Sequence, residues 1–121
     1  MTKAATTVKY FGGYLMILGV GLIVVPNVLL PLFGMAPTSE VWIHVVGLVV
    51  FNEGACYWLA AKSEARPFFQ ASVYLRAVVP FVFAAFVLAG WASPVLVLFG
   101  IADMLAGVWT WLALRGEKTA V

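Results

Sequence analysis

Four apolar stretches dominate this sequence and constrain its fold more than any other feature. They cover about residues 8–25, 40–62, 66–90 and 94–115. A helix of roughly 20 apolar residues spans the hydrocarbon core of a bilayer, and it satisfies its own backbone hydrogen bonds there without water. We therefore predict an all-α fold in which residues 1–121 form one membrane domain, a bundle of four transmembrane helices.

The composition supports a lipid environment. Of the 121 residues, 64% are hydrophobic and 10% are charged, whereas a soluble domain carries about a quarter charged residues. Such a chain has too few polar groups to cover its surface in water. The formal net charge of +2 is too small and too scattered to indicate nucleic-acid binding. The single cysteine, Cys56, lies inside an apolar stretch, so we interpret it as a small packing residue.

Helix-breaking and capping residues mark the ends of these stretches. Pro26 is expected to end or kink the first helix because proline lacks an amide donor. Residues 28–33 then read as a short amphipathic or re-entrant segment at the membrane interface. Thr38 or Ser39 is expected to cap the second helix. Ser93, which precedes a proline, is a typical start for the fourth helix.

The basic residues fall on one side of the predicted bundle. The first and third links contain neither Lys nor Arg, and an even number of helices places both termini on the same side as the middle link. The positive-inside rule therefore predicts a multi-pass protein of the cell inner membrane with both termini in the cytoplasm. The residues behind this prediction are Lys3, Lys9, Lys62, Arg66, Arg115 and Lys118.

Three charged residues interrupt the apolar stretches: Glu53, Arg76 and Asp103. Counted from the basic ends at about 1.5 Å per residue, all three lie roughly 13 to 18 Å deep, near the midplane. A lone charge there costs at least a few kcal/mol, and such groups normally pair inside the bundle. A guanidinium can hold one carboxylate with two hydrogen bonds and still donate to another. We therefore predict an intramembrane salt bridge in which Arg76 joins the second and fourth helices.

The charges of this cluster do not balance, because two acids face one base. Either one acid is protonated, or a proton, a cation or a ligand group compensates the remaining negative charge. Pro80 cannot donate to the carbonyl of Arg76, which frees an acceptor at the same depth. The imbalance indicates a functional site, and the alternative is a structural ion network that holds the helices together.

Polar and small neighbours extend the candidate site. Asn52 adjoins Glu53, and Tyr57 follows by one helical turn on nearly the same face. Gly100 and Gly107 flank the acid of the fourth helix, so a neighbouring helix or a ligand can approach closely there. The predicted ligand-binding residues are Glu53, Arg76, Asp103, Asn52 and Tyr57.

His44 is the only histidine, and it lies near the outer end of the second helix on the face opposite Glu53. We interpret it as a polar interfacial residue, since no second ligand for a haem or a metal accompanies it. We predict no metal, no haem and no other resident cofactor. The chain also lacks a Gly-rich phosphate loop, a thiol pair and a nucleophile elbow, so whether it is an enzyme stays open and no catalytic residue is assigned.

Several motifs follow one another from the second helix onward. They are Glu53-Gly54-x-x-Tyr57, the link 62–69 with its charged start, Arg76, Phe99-Gly100-Ile101-Ala102-Asp103 and Trp109. In layout this pattern resembles small bacterial four-helix membrane proteins of the DoxX-like kind over roughly residues 8–115. The resemblance implies a bundle in the inner membrane, and some members of that family are associated with quinone-linked redox complexes. No catalytic residue can be matched, so no activity is carried over.

Several functions remain open from these residues. The main hypothesis is a membrane protein whose polar site binds a small hydrophobic or quinone-like ligand, with Arg76 holding its head group and Glu53 or Asp103 exchanging a proton with it. The alternatives are a structural or assembly subunit, a proton-coupled small transporter acting as a dimer, and an intramembrane isomerase or hydrolase. The expected partners are the lipid bilayer, a hydrophobic small molecule and a second copy of the chain, but no nucleic acid.

Overall fold

The computed structural model describes residues 1–119, with side chains described as far as Glu117. This part of the chain is helical and contains no strand. Its elements are α1 (Lys3–Val24), α2 (Pro26–Leu29), a 3₁₀ segment (Leu30–Phe33), α3 (Trp42–Lys62), α4 (Arg66–Leu88) and α5 (Val95–Thr119). Four of the helices, α1, α3, α4 and α5, are long and apolar enough to cross a membrane. The predicted four-helix fold and the short segment after the first helix are therefore confirmed.

Large apolar side chains cover the outside of the bundle. Ile17 exposes 77% of its surface, Tyr74 exposes 76% and Leu88 exposes 89%. Each such side chain would cost about 1.5 to 3 kcal/mol more in water than in an apolar environment, and lipid removes that cost. The chain has the architecture of a multi-pass membrane protein, in which lipid covers the apolar exterior.

Glycines set the contact between α1 and α3. Gly12 lies opposite Gly54, and Gly19 lies opposite Gly47, so the two helices run antiparallel. A Cβ atom built on Gly12 would stand 2.7 Å from the carbonyl oxygen of Gly54, and one on Gly19 would stand 2.7 Å from that of Gly47. The missing side chains let the two backbones touch, which is how many membrane helices associate without a hydrophobic driving force.

A second pair is formed by α4 and α5. A Cβ atom on Gly100 would lie 2.7 Å from Cα of Pro80, and one on Gly107 would lie 3.3 Å from Cβ of Arg76. Both glycines thus allow the close helix approach that their spacing predicted. The helix α4 continues through Pro80, whose flat, buried surface packs against the glycine of its neighbour.

The two pairs meet unevenly. The helix α1 packs against α5, whereas the backbones of α3 and α4 scarcely approach each other although a short link joins them in the chain. Tyr57 on α3 does pack its ring against that of Phe68 on α4, at 4.9 Å between centroids. A space therefore remains between the pairs. The 3₁₀ segment borders this space, because Phe33 packs its ring 4.1 Å from the ring of Phe99 on α5, measured between centroids.

Two carboxylates hold the N-terminus, the middle link and the end of α5 at one end of the bundle, here called the charged end. Glu64 accepts hydrogen bonds from the amide of Thr2 at 2.8 Å and from its hydroxyl at 2.7 Å. Glu117 accepts from the amide of Ala4 at 2.9 Å and from Nη1 of Arg66 at 3.1 Å. These contacts place the N-terminus, the link 63–65 and the end of α5 side by side. The side chain of Lys118, assigned to this end from the sequence, lies outside the described side chains.

Two helices are longer at the charged end than predicted. The helix α1 begins at Lys3 instead of about residue 8, because the hydroxyl of Thr2 accepts a hydrogen bond from the amide of Ala5 and caps it. The helix α5 continues to Thr119 instead of ending near residue 115. Its last turns carry Glu117, and the contacts of that carboxylate with α1 and α4 hold them in place.

The start of α3 differs from the prediction. This helix begins at Trp42, and the cap position is taken by Val41, which makes no side-chain capping bond. The hydroxyl of Thr38 instead accepts a hydrogen bond from the amide of Glu40 at 3.1 Å, before the helix starts. Ser93 does accept a hydrogen bond from the amide of Val95 at 3.3 Å, as expected of a residue that starts α5.

Candidate ligand-binding site

A cavity of about 530 Å³ lies between the two helix pairs. All four membrane helices and the 3₁₀ segment contribute to its wall, which is largely aliphatic and aromatic. Three charged residues, Glu53, Arg76 and Asp103, also line it. The structure thus brings to one cavity the three residues that the sequence placed at one depth. The volume and the lining are typical of sites for small molecules.

The predicted salt bridge is not formed. Neither Glu53 nor Asp103 lies within 4.0 Å of the guanidinium of Arg76, and the ion pair found in the described part of the chain is the one between Arg66 and Glu117 at 3.1 Å. For Glu53 the helix arrangement explains this result, because the cavity lies between α3 and α4. Asp103 belongs to α5, which packs closely on α4, but the guanidinium donates to a hydroxyl on that helix instead. Equal depth in the membrane therefore did not bring the charged groups into contact.

Hydroxyl groups hold Arg76 instead. Its Nε donates to the carbonyl oxygen of Ser72 at 3.2 Å, and its Nη2 donates to the hydroxyl of Ser72 at 2.9 Å. The same Nη2 donates to the hydroxyl of Thr110 on α5, also at 2.9 Å. Arg76 thus joins α4 to α5 through Thr110, and it is 2% exposed.

The hydrogen bonds continue from Thr110 to α1. The hydroxyl oxygens of Thr110 and Thr7 are 2.7 Å apart, and the hydroxyl of Thr7 donates to the carbonyl of Ala4 at 2.7 Å. The hydroxyl of Thr110 also lies 3.3 Å from the carbonyl oxygen of Ala106, so each of the two hydroxyls has an acceptor in its own helix. The polar chain Arg76–Thr110–Thr7–Ala4 connects α4, α5 and α1.

Thr7 and Thr110 were missed as part of the site by reasoning from the sequence. A signal was present for Thr110, since it is the one Ser or Thr in the apolar stretch 95–114. A lone hydroxyl residue inside a membrane helix usually has a hydrogen-bond partner on another helix. Thr7 carried no comparable signal because it stands in the polar start of the chain.

One donor of Arg76 is left over. Its Nη1 is buried and finds no hydrogen-bond partner among the residues that the structure describes. The guanidinium carbon lies 4.8 Å from the ring centroid of Phe11 and 5.6 Å from that of Tyr57, and such contacts stabilise a cation by about 0.5 to 2 kcal/mol. Leaving a buried donor unpaired costs about 1 to 3 kcal/mol, and more for a charged group. An acceptor in the cavity would remove that cost.

Of the other two predicted site residues, Tyr57 lines the cavity and Asn52 does not. Tyr57 is 4% exposed, and its ring packs against those of Phe11 and Phe68 at centroid distances of 5.2 and 4.9 Å. Asn52 is exposed and is not among the residues that line the cavity. Cys56 is exposed and lines the cavity, so it is not the packed residue that the sequence suggested.

The site predicted from the sequence also did not include most of the aromatic residues of the cavity wall. Apart from Tyr57, the aromatic residues that line the cavity come from α1, the 3₁₀ segment, α4 and α5: Phe11, Tyr14, Phe33, Phe68, Phe83 and Phe99. In a membrane protein, aromatic residues also occur on lipid-facing surfaces, where tryptophan and tyrosine concentrate near the head groups. Their type and spacing therefore did not distinguish cavity from lipid.

His44 lies away from the cavity and has a structural partner. Its Nδ1 lies 2.6 Å from the carbonyl oxygen of Ile23, and since a carbonyl only accepts, this nitrogen carries the proton. Ile23 belongs to the last turn of α1, where helix carbonyls lack donors from their own helix. His44 thus caps α1, and its interpretation as an interfacial residue stays a prediction.

No protein-family model, curated protein or solved structure matches this chain. The resemblance to DoxX-like proteins stays a prediction from motifs.

Proposed function

We propose that the protein binds a small hydrophobic or quinone-like molecule in the central cavity. The observation that carries this proposal is the buried Nη1 of Arg76, which has no partner in the described chain although the residue lines a cavity of about 530 Å³. A ligand oxygen that accepts a hydrogen bond from this group would satisfy it. Hydroxyls on two sides already hold the guanidinium in position, so little order is lost on binding.

The chemistry of the wall defines the ligand class. Arg76 offers a donor to a carbonyl or another electron-rich oxygen, and Glu53 and Asp103 are the groups at the same cavity that can exchange a proton with it. Most of the remaining wall is apolar or aromatic and suits a ring with a hydrocarbon tail. A quinone has both parts, since its ring carbonyls accept hydrogen bonds and its tail is apolar.

The weak contact between α3 and α4 supports access from the lipid. Glu53 and Cys56 on α3 and Leu75 on α4 all line the cavity and are exposed, Leu75 by 67%. A hydrophobic ligand dissolved in the bilayer would reach Arg76 between these two helices without crossing water.

The proposal includes a place in the cell. We propose that the protein is a DoxX-like member of the bacterial inner membrane with both termini in the cytoplasm. Support comes from the charged end, which gathers the N-terminus, the middle link and the end of α5 and carries most of the basic residues. A C-terminal fluorescent reporter that folds only in the cytoplasm should be active, and a phosphatase that needs the periplasm should be inactive in the same position.

Cys56 allows a direct test of the cavity. It is the one cysteine of the chain, and it is exposed at the cavity wall. We expect N-ethylmaleimide to modify it in protein held in lipid nanodiscs, with the rate followed by intact mass. Decylubiquinone should slow the modification in a saturable manner. An alcohol with the same alkyl chain and no ring should protect much less, because it places no carbonyl beside Arg76.

Variants connect that protection to Arg76. Arg76→Gln should weaken protection by decylubiquinone, and Lys62→Gln, which removes a basic residue outside the cavity, should leave it unchanged. Glu53→Gln is a second test if the first variant fails to fold, since Glu53 is exposed and its loss removes one proton-exchanging group. Equal protection in wild type and both variants would show that the polar groups do not bind the ligand.

The purely structural alternative expects a closed network in which the charges pair with one another. Arg76 and the two acids share an open cavity without an ion pair, which favours ligand binding. The transporter alternative draws support from the same unpaired acids. It predicts pH-dependent flux in proteoliposomes that is lost when Glu53 and Asp103 are both neutralised, whereas simple binding predicts no flux.

A further inference from the structure

Apart from the central cavity, a recess with two arginines in its lining lies between α4 and α5 at the charged end. Its volume is about 350 Å³, and it shares no lining residue with the central cavity. Counted from the first lining residue of each helix, the others follow at three, four, seven or eight positions, so each set occupies one helix face. The residues are Arg66, Gln70, Val73 and Tyr74 on α4 and Trp111, Leu114 and Arg115 on α5. We refer to this recess as the arginine groove.

The arginine groove is polar at one end and apolar at the other. Arg66 is the first residue of α4, so it marks the charged end, and Arg115 lies near the same end of α5. Tyr74 lies two turns deeper along α4, beside Val73. An amphiphile with a charged head and a hydrocarbon tail has the same gradient, with its head at the membrane surface.

The head that fits this groove is anionic. Both charged residues in its lining are arginines, and none of its seven lining residues is acidic. Arg66 keeps 41% of its side chain exposed while it pairs with Glu117, and its Nη2 makes only a long contact of 3.4 Å with the carbonyl of Leu114. Arginine binds phosphate oxygens with two parallel hydrogen bonds, which a lysine does not provide.

Aromatic residues complete the groove. The guanidinium carbon of Arg115 lies 4.8 Å from the ring centroid of Trp111, which positions the cation over an aromatic face. Tyr74 and Trp111 are both exposed, by 76% and 43%. Tryptophan and tyrosine concentrate at the level of lipid head groups, where an apolar ring and a polar tip are both accommodated.

We propose that the arginine groove binds an anionic phospholipid from the leaflet at the charged end. The phosphate of the head group contacts Arg66 and Arg115, and an acyl chain lies along Val73 and Tyr74. Basic recesses between membrane helices bind anionic head groups in this way. This site is separate from the central cavity, and it does not depend on what that cavity binds.

Lipid retention by the purified protein tests the proposal. Protein from nanodiscs that contain phosphatidylglycerol and phosphatidylcholine with the same acyl chains is released into the gas phase, and native mass spectrometry measures the lipid that remains bound. We expect wild type to retain phosphatidylglycerol in preference to phosphatidylcholine. Arg115→Gln should lower that preference about fivefold, which corresponds to about 1 kcal/mol for one basic residue at an anionic surface.

Matched controls separate a site from general surface charge. Lys62→Gln removes a positive charge at the same end but outside the groove, so it should retain the wild-type preference. Arg66→Lys keeps the charge and should still lower the preference, because it loses the planar fork. An equal loss in the Arg115 and Lys62 variants would overturn the proposal.

Two further measurements complete the test. Inorganic phosphate added to protein in phosphatidylcholine nanodiscs should not reproduce the rise in melting temperature that phosphatidylglycerol causes, and if it does, the groove is a site for free anions. Protection of Cys56 by decylubiquinone should be the same in Arg115→Gln and wild type. Lipid retention thus tests the arginine groove, and protection of Cys56 tests the central cavity independently.

Discussion

At the scale of single residues, Arg76 shows how a membrane helix can carry a charge without an ion pair. Its partners are the hydroxyls of Ser72 and Thr110, and rings cover part of the guanidinium. Burying a carboxylate beside it would add the cost of removing a second ion from water. Hydroxyls cost less to bury and leave the positive charge unneutralised. The side chain is thereby held in place while its Nη1 keeps no hydrogen-bond partner in the described chain.

We predict that Thr110→Val destabilises the protein by about 1 to 3 kcal/mol, because it removes an acceptor for the Arg76 cation and the hydroxyl that bonds to Thr7. Valine matches threonine in shape, so packing changes little. The free energy of unfolding in mixed micelles measures the effect. Thr6→Val is the control, since its hydroxyl contacts only the carbonyl of Thr2 near the start of α1. Equal effects of the two substitutions would contradict the hydrogen-bonded chain.

The hydrogen bonds of Glu64 at the charged end predict a pH dependence of stability. Its pKa lies below the ordinary value of 4.5 because the hydroxyl of Thr2 and then the amide of Thr2 donate to the ionised carboxyl. The pKa is lower in the folded chain than in the unfolded chain. This contact therefore stabilises the fold at neutral pH, and the stabilisation is lost as the pH falls below 4.5 and through the folded value.

Thr2→Val should raise the pKa of Glu64 toward 4.5, because it removes the donor with the largest effect and leaves the amide in place. A carboxyl ¹³C NMR titration of the labelled protein in nanodiscs measures the change. Thr6→Val should leave the titration as in wild type. An unchanged pKa in Thr2→Val would show that the hydroxyl does not bind Glu64 in solution.

At the scale of elements, glycines determine which helices pack closely in pairs. Gly12 and Gly19 on α1, and Gly47 and Gly54 on α3, each stand seven residues apart and place bare backbone on one face. The resulting contact is closer than any side chain would permit. Between α3 and α4 no comparable contact forms, and that difference leaves room for the cavity.

We predict that Gly12→Ala destabilises the α1–α3 pair by about 1 to 3 kcal/mol, because its Cβ atom would stand 2.7 Å from the carbonyl oxygen of Gly54. Gly13→Ala is a matched control on the same helix. Its Cβ atom would stand 3.5 Å from the ring of Trp58, an ordinary contact, and alanine favours the helix by up to about 1 kcal/mol. Thermal unfolding of the two variants should therefore shift in opposite directions or, for the control, not at all.

At the scale of the whole molecule, the cavity is a consequence of how the two helix pairs meet. The helix α1 joins them through α5 and through the chain from Thr7 to Arg76, while the opposite side stays open. The 3₁₀ segment packs Phe33 against Phe99 at the edge of the cavity away from the charged end. The molecule therefore consists of two closely packed helix pairs around a central space.

Because of this arrangement, we expect a larger side chain to fit into the cavity. Val79 lines it, so Val79→Phe should leave the free energy of unfolding nearly unchanged and slow the reaction of N-ethylmaleimide with Cys56. Val8 is fully buried in the core around α1, so Val8→Phe should destabilise the protein by about 1 to 3 kcal/mol. Similar destabilisation by both substitutions would indicate that the cavity closes in solution.

The sequence alone predicted the four helices, the break at Pro26 and the common depth of Glu53, Arg76 and Asp103. These features follow from bilayer thickness and from the constant rise of a helix, which together determine position along the membrane normal. A count along the chain therefore suffices for them.

The tertiary structure decided which groups meet in the plane of the membrane. Rotation and pairing of helices depend on side-chain packing, which a count along one chain does not contain. Glycine contacts set α1 against α3 and α4 against α5. The space between the pairs separated Arg76 from Glu53, and on α5 the hydroxyl of Thr110, not the acid of that helix, became the partner of the guanidinium. The same packing placed Asn52 outside the cavity and brought Thr7 and Thr110 together. Depth was a property of the sequence, whereas the partners of Arg76 were a property of the packed bundle.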